Sequence, residues 1–529
     1  MRGMSRQAPR FPWPLALALL ALVLFQLGAV PLFDVDEGAF SEATREMLAS
    51  GDWGHTTLNG EDRFDKPILV YWLQAASVAV LGLHEFALRL PSALCAWGWA
   101  LAVWAFARPR LGERVATSAA LMMATSLGVL AIGRAATADA LLNLLLVLAA
   151  FDAWRWLESE QKAPLRRAFA WMGLGLLAKG PVAVLVPVAA AGVWLLATFD
   201  WRYIVRRVRQ AVSDWRAWAL LIGIAAPWYA YALHRHGQAF VDGFFVRHNL
   251  SRYTGTMEQH GGGWAYYLVV MPLLLLPWAP LLAAVARRAV EHWQRPLGRF
   301  LLGWGVFVIV FFSLSGTKLP HYVLYGATPL VLLMAVEAER MGAAMRWALA
   351  IACLALLALV ALPALTVPMW VDQVRHPMYR ALLAGAEPPV VLAVAAVVVA
   401  VAVAVLARAT GPWRERLPGA GSALLSGGMV ALVVLGFGLP WWGTLLQGPV
   451  RDAAVFARSR TEPAVQWQLH QPSFAVYRGQ PTPRRAPLPG ELALIRVDHL
   501  KKLPADAGPW ETVFEQRGIA LVLWHAPAK

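Results

Sequence analysis

The sequence predicts an all-α polytopic membrane protein carrying a small α/β domain at its C-terminal end. Three observations lead there. Of 529 residues, 59% are hydrophobic and only 15% are charged, with a mean hydropathy of +0.52, whereas a soluble chain is about a quarter charged. About thirteen apolar runs approach the roughly 20 residues a membrane-spanning helix needs. The links between those runs alternate between basic and mixed, as they do in a chain that crosses a bilayer repeatedly.

The runs lie near 13–33, 86–107, 115–132, 138–157, 168–180, 181–199, 217–234, 264–286, 300–315, 321–338, 345–367, 386–408 and 421–443. The first follows a basic start, but it is long enough to span and no small-residue cleavage motif follows it. It reads as a retained helix rather than a signal peptide. Arg108, Arg110 and Arg114 follow the second run; Lys162, Arg166 and Arg167 follow the fourth. Arg202, Arg206, Arg207 and Arg209 follow the sixth, and basic residues also follow the eighth, tenth and twelfth. Those links and the N-terminus are therefore expected in the cytoplasm and the C-terminus outside it. The formal net charge of +15 sits mostly in these short links, which argues for lipid head groups and against nucleic acid. Cys95 and Cys353 fall inside apolar runs and read as core thiols. The 26 tryptophans suit interfacial belts as well as packing.

Residues 1–443 are read as the membrane domain, with 34–85 its first outer loop. Residues 444–529 change character: Ser473–Tyr477, Leu492–Val497 and Ile519–Trp524 read as strands between Pro- and Gly-rich turns. In the first loop, Phe40, Ala43, Met47 and Leu48 have helical spacing, with Glu42, Arg45 and Glu46 on the other face. Gly51 is placed to end that helix, Asn59-Gly60 to turn the chain, and Tyr71-Trp72 to sit at the membrane interface. The loop is expected to lie flat on the bilayer surface.

Positive residues are disfavoured in short translocated loops. Lys66, Arg134, Lys179, Arg247, Arg252 and Lys318 nevertheless fall there, with His248 and His321, facing Asp36, Glu37 and Asp139. Each has a plainer reading. The acids could cap a helix, the lysines could snorkel, and Arg134 with Asp139 could be a structural ion pair. Together they suit an anionic, phosphate-bearing ligand with a lipid tail. His234 and His236 are spaced i, i+2 with no third ligand nearby in sequence, so they support a metal site only weakly and none is assigned.

The stretch D-E-G-A-F-S-E-A-T-R-E-M-L-A-S-G-D-W from Asp36, followed by L-N-G-E-D-R-F-D-K-P-I-L-V-Y-W from Leu58, resembles the ArnT-like branch of membrane glycosyltransferases. That branch is related to the dolichyl-phosphate-mannose protein mannosyltransferases. Thr137–Asp139, Lys179-Gly180-Pro181, the H-N-L-x-R-Y segment from His248 and F-F-S-L-S-x-x-K-L-P-x-Y ending at Tyr322 extend the resemblance. It runs from about residue 30 to 340. It implies the GT-C fold, a bacterial inner-membrane location and a sugar donor carried on polyprenyl phosphate. By position it assigns Asp36 and Asp139 to catalysis and Lys66, Lys179 and Lys318 to the donor phosphate; the charge reading adds Glu37 to the catalytic acids and Arg134 to the phosphate contacts. Tyr71, His248, Arg252, His321 and Tyr322 are left for sugar or acceptor. No cofactor is required, and a divalent metal is left open. Gly38-Ala39-Phe40 and Ile68 depart from the family pattern near the sugar pocket, so the sugar stays open.

The expected reaction is inverting transfer from polyprenyl phosphate to a glycolipid such as lipid A. Mannosyl or other hexosyl transfer to a protein or envelope glycan is the alternative within the class. A flippase for lipid-linked sugars is the rival outside it, but transporters place ionisable groups near the midplane, and here they gather at one edge.

Overall fold

Prolines, glycines and short polar breaks cut the apolar runs into helices of unequal length. In a computed structural model, residues 12–251, 253, 255, 261–408, 420–500 and 509–525 are described. The first part of the chain forms α1 (Trp13–Leu24), α2 (Asp36–Ser50), α3 (Leu69–Leu81), α4 (Glu85–Leu111), α5 (Glu113–Thr125) and α6 (Leu127–Gly133). It continues through α7 (Asp139–Ser159), α8 (Lys162–Lys179), α9 (Val182–Thr198), α10 (Trp201–Ser213) and α11 (Trp215–His236). Among the described residues, eight helices are long and apolar enough to cross a membrane, or nine if α5 and α6 form one bent span. Three further apolar helices, α1, α3 and α9, are shorter.

The number of spans expected from the apolar runs is therefore not confirmed, and the difference lies in where the runs break. The first run is helical only to Leu24. The third bends by 63° at the α5–α6 junction, where Ser126 adopts an extended conformation. The freed backbone of Leu127 donates instead to the carbonyl of Leu276 at 2.9 Å, because an unpaired amide in an apolar bundle is costly.

Tryptophans fill the centre of the bundle as well as its rim. Trp99, Trp278 and Trp304 are fully buried. Their indole N–H groups donate to Thr328 Oγ1, Thr125 Oγ1 and the Tyr325 carbonyl, the pairing a buried indole requires.

The basic links meet one another at one end of the bundle. Arg110 pairs with Glu158, Arg166 with Asp214 at 3.2 Å, and Arg288 with Glu337 at 2.7 Å. Arg207 donates to the carbonyl of Leu157 at 3.0 Å. These contacts join links that the alternation of charge assigns to one side. The first loop, the α6–α7 link, the α8–α9 break and the turn at 320–326 gather at the opposite end, through the ion pairs described below.

In the first loop, α2 ends at Gly51 with φ 70°. Asn59 and Gly60 take positive φ of 55° and 84° between β1 (Thr57–Leu58) and β2 (Glu61–Asp62), as a two-residue hairpin turn requires. The helix is not simply amphipathic. Glu42 and Glu46 on its polar face are buried, because the hairpin and the C-terminal domain cover that face. Tyr71, expected at the membrane interface, is fully buried against Phe40, with ring centroids 5.5 Å apart.

The C-terminal domain is a four-stranded sheet in the order β3-β4-β6-β5, formed by β3 (Ala464–Gln466), β4 (Leu492–Arg496), β5 (Trp510–Gln516) and β6 (Ile519–Trp524). β3 pairs parallel to β4, and the other pairs are antiparallel. The helix Leu439–Arg458 runs through residues 443 and 444 and leads into it. Two of the three expected strands form; the third, Ser473–Tyr477, lies instead in a helix, Ser473–Arg478. Pro472 precedes it and Gly479 ends it with φ 80°, helix-terminating signals that a five-residue apolar alternation conceals. This helix docks on the first loop. Asp34 accepts from the backbone N–H of Ser473 at 2.9 Å and from its hydroxyl. The Tyr477 hydroxyl accepts from Leu32 N–H and donates to Glu85.

Candidate active site

Two buried ion pairs organise the end of the bundle where the first loop lies. Glu37, in the first turn of α2, receives Arg89 of α4 in a two-pronged contact, Nε to Oε1 at 2.8 Å and Nη2 to Oε2 at 2.7 Å. The backbone N–H groups of Ala136 and Phe33 also donate to its two oxygens, at 2.7 and 2.8 Å. Arg89 spends its other donors on the carbonyls of Leu27, Val30 and Pro31. A buried guanidinium and carboxylate persist only when satisfied in this way.

The second pair joins Asp139, the first residue of α7, to Lys179, the last of α8. Thr137 Oγ1 donates to the other Asp139 oxygen at 3.3 Å. His321 Nε2 lies 3.6 Å from Asp139 and 3.5 Å from the Lys179 ammonium. That ammonium also faces the rings of Tyr322 and Tyr325 at 5.4 and 5.9 Å, an attractive cation–π geometry. The helix break that frees Lys179 needs Gly180: φ is 85°, and a Cβ there would meet the Phe244 ring at 2.8 Å.

A cavity lies on either side of this second pair. The first, about 480 Å³, is lined by Asp34, Asp36, Glu37, Arg89, Arg134, Asp139 and His321, with apolar walls from α6 and from Leu435 and Leu439. Asp36 is exposed within it. Arg134 donates to the Val23 carbonyl at 3.2 Å, and burial beside the Arg89 charge lowers its pKa to about 10. The second cavity, about 400 Å³, is lined by Asp65, Lys66, Lys179, His248, Tyr322 and Tyr325, and by apolar residues including Val182, Leu185, Phe245 and Phe312. Asp65 bonds His248 Nε2 at 2.6 Å and Arg63 at 3.1 Å. Burial pushes the Asp65 carboxyl up, but the His248 bond and the Arg63 and Lys66 charges outweigh it and hold the group well below the usual carboxylate range.

The residues singled out from sequence divide between these places. Asp36, Glu37, Arg134, Asp139 and His321 line the first cavity, and Lys66, Lys179, His248 and Tyr322 the second. Lys318 lines neither; its ammonium donates to the Ser315 carbonyl at 2.6 Å. Tyr71 lies beneath the site, accepting from Arg63 Nε at 3.3 Å. Arg252 lies outside the described residues. Asp139 pairs with Lys179, and Arg134 turns toward Val23, so the ion pair weighed between Arg134 and Asp139 does not form. Sequence reading missed Arg89, although an arginine inside an apolar run is itself a signal. It also gave no role to Asp34, Arg63 or Asp65, whose roles depend on folded neighbours.

Residues 65–235 match the family model described as dolichyl-phosphate-mannose-protein mannosyltransferase. The chain is 31% identical over 331 residues to an undecaprenyl phosphate-alpha-4-amino-4-deoxy-L-arabinose arabinosyl transferase of Edwardsiella ictaluri, covering 60% of this chain and 58% of that one. It is 32% identical over 345 residues to the second such transferase of Pseudomonas fluorescens, covering 63% and 57%. The alignment thus spans less than two thirds of these relatives' length. The crystal structure of ArnT from Cupriavidus metallidurans bound to undecaprenyl phosphate superposes with a TM-score of 0.79 over 96% of this chain and 97% of that one, at 22% identity. The chain has the GT-C fold of that structure, and its sequence is similar to those arabinosyl transferases and, over residues 65–235, to the mannosyltransferase family model.

Proposed function

We propose that this protein is an inverting glycosyltransferase of the inner membrane that uses an undecaprenyl-phosphate sugar. The carrying observation is the Asp139–Lys179 pair set in the common wall of two cavities. The second cavity offers Lys66 and Lys179 to a phosphate and an apolar wall to a lipid tail. The first offers the exposed carboxylate of Asp36, which suits a cationic amino sugar, while Glu37 and Asp139 beside it are engaged by Arg89 and Lys179. The relatives' donor, carrying 4-amino-4-deoxy-L-arabinose, has that chemistry.

In the proposed reaction, an acceptor oxygen attacks the anomeric carbon from the first cavity. The bond from that carbon to the lipid phosphate oxygen breaks, with inversion, and polyprenyl phosphate departs. Lys66 and Lys179 stabilise the charge that grows on the leaving phosphate. With a hydroxyl acceptor, Asp36 takes the proton as general base; with a phosphate acceptor such as that of lipid A, it orients the nucleophile and balances charge. Asp139 holds Lys179 in place. From the bias of basic residues toward one end of the bundle we infer a cytoplasmic N-terminus and a periplasmic C-terminal domain, with both cavities on the periplasmic side.

Incubation of the purified protein with undecaprenyl-phosphate sugars and lipid A, followed by mass spectrometry, tests the proposal. A lipid A product carrying aminoarabinose is expected. Transfer of a neutral hexose alone would overturn the amino-sugar assignment. Lipid movement across vesicles with no glycosidic product from any donor would overturn the enzyme.

A further inference from the structure

The first loop and the end of α11 bring together three side chains that neither cavity uses. His55 precedes the hairpin, Asp62 closes it in β2, and His236 is the last residue of α11. One ligand atom from each lies within 4.8 Å of the others. His55 Nε2 is 2.9 Å from Asp62 Oδ1, and His236 Nδ1 is 3.6 Å from Asp62 Oδ2. The two imidazoles face each other with centroids 4.3 Å apart. Each histidine side chain is 10% exposed, whereas the carboxylate is 53% exposed.

A hydrogen bond across the hairpin would explain His55 and Asp62, but it leaves His236 unexplained. His236 Nδ1 stands 3.6 Å from Asp62, too far for a hydrogen bond, and its Nε2 is buried without a hydrogen-bond partner, so neither ring nitrogen is satisfied by a protein group. Its ring is wedged between His55 and Phe64. Two imidazoles and one carboxylate form a donor set that zinc accepts. Ligand atoms around a tetrahedral zinc stand about 3.3 Å apart for bonds near 2.0 Å, so small side-chain rotations complete the site. The exposed side of Asp62 leaves the fourth position to water.

We propose that His55, Asp62 and His236 bind a zinc ion that fastens the first loop to the outer end of α11. The surrounding contacts converge on the same junction. Trp228 Nε1 donates to the Gly54 carbonyl at 3.0 Å, and Asp52 pairs with Arg235. Asp65 and Lys66 lie just beyond Asp62, and the helix bearing Phe245 and His248 begins shortly after His236. Both arms line the second cavity. The ion would thus hold them at a fixed separation without contacting a substrate.

Zinc content measured by mass spectrometry after chelation, zinc reloading and removal of excess metal tests this on the full-length protein in nanodiscs. About one zinc per chain is expected, retained in H248A and falling below about a tenth of an equivalent in H55Q and in H236Q. Zinc titration by calorimetry of the unaltered protein provides a readout that does not depend on variant folding, and one saturable site at micromolar zinc is expected. No saturable binding would overturn the proposal, as would full zinc retention in H55Q and H236Q. Loss of zinc in H248A with retention in H236Q would also overturn it, by moving the ion to Asp65 and His248.

Discussion

Glu37–Arg89 and Asp139–Lys179 are both buried carboxylate–cation pairs at the same end of the bundle, yet they differ in what is left over. Around the first, every prong of the contact is occupied: two backbone amides fill the carboxylate and three carbonyls fill the guanidinium. Around the second, His321 and two tyrosine rings stand close without saturating the ammonium, and each side faces a cavity. A saturated pair can only hold structure in place. A pair with spare valence between two cavities can exchange partners with a ligand.

Five variants sharpen or break this contrast. The largest effect is expected at Asp36, which faces the open region: D36N should lower the transfer rate about 10²–10⁴-fold with a hydroxyl acceptor while leaving melting unchanged. Equal losses of rate and melting temperature would mean that Asp36 is structural. At the saturated pair the order reverses. E37Q strands a buried guanidinium and should cost about 3–5 kcal/mol of stability, read as a lowered thermal midpoint in detergent. The double change E37M/R89M removes both charges but leaves two amides and three carbonyls unpaired, so it should recover only part of that loss; a stability below that of E37Q would break the scaffold reading. K66A removes one charged phosphate contact worth about 1.5–3 kcal/mol and should lower kcat/KM about 10- to 100-fold, with much of the loss in kcat because the charge Lys66 meets grows as the phosphate leaves.

The smallest effect concerns pH. Burial pushes the Asp34 carboxyl up to about 7, the Ser473 bonds offsetting only part of it and the Glu37 charge adding to it. The folded state therefore holds a proton that the unfolded chain releases near pH 4. The resulting stabilisation is complete below about pH 4 and fades as pH rises to about 7. The melting temperature of D34N should lack that component of decline between pH 5 and 7.5, and identical pH slopes for both proteins would refute it.

Much of the first loop was legible in sequence because its signals are local. Gly51 and Asn59-Gly60 act within a few residues of themselves, and charges in translocated links stand out against an apolar background. The pairings were not legible. Glu37 finds Arg89 at a separation of 52 residues, and Asp139 finds Lys179 at 40. The resemblance had marked Lys179 for phosphate without indicating the acid that holds it. Burial of Glu42 and Glu46 depends on a hairpin and a distant domain that no helical period records. The same holds for His236, whose neighbours in space come from the first loop and not from His234. Lengths of apolar runs do not reveal where a bend such as that at Ser126 divides one.

Gly38 carries a further consequence. A Cβ there would lie 2.5 Å from the Ser473 amide nitrogen, so the helix Ser473–Arg478 can seat on α2 only because position 38 has no side chain. Any side chain at position 38 would evict that helix. Positions 38 and 473 must therefore change together. A chimera joining this protein's first loop to another enzyme's C-terminal part would inherit either a clash or a gap beside Asp34.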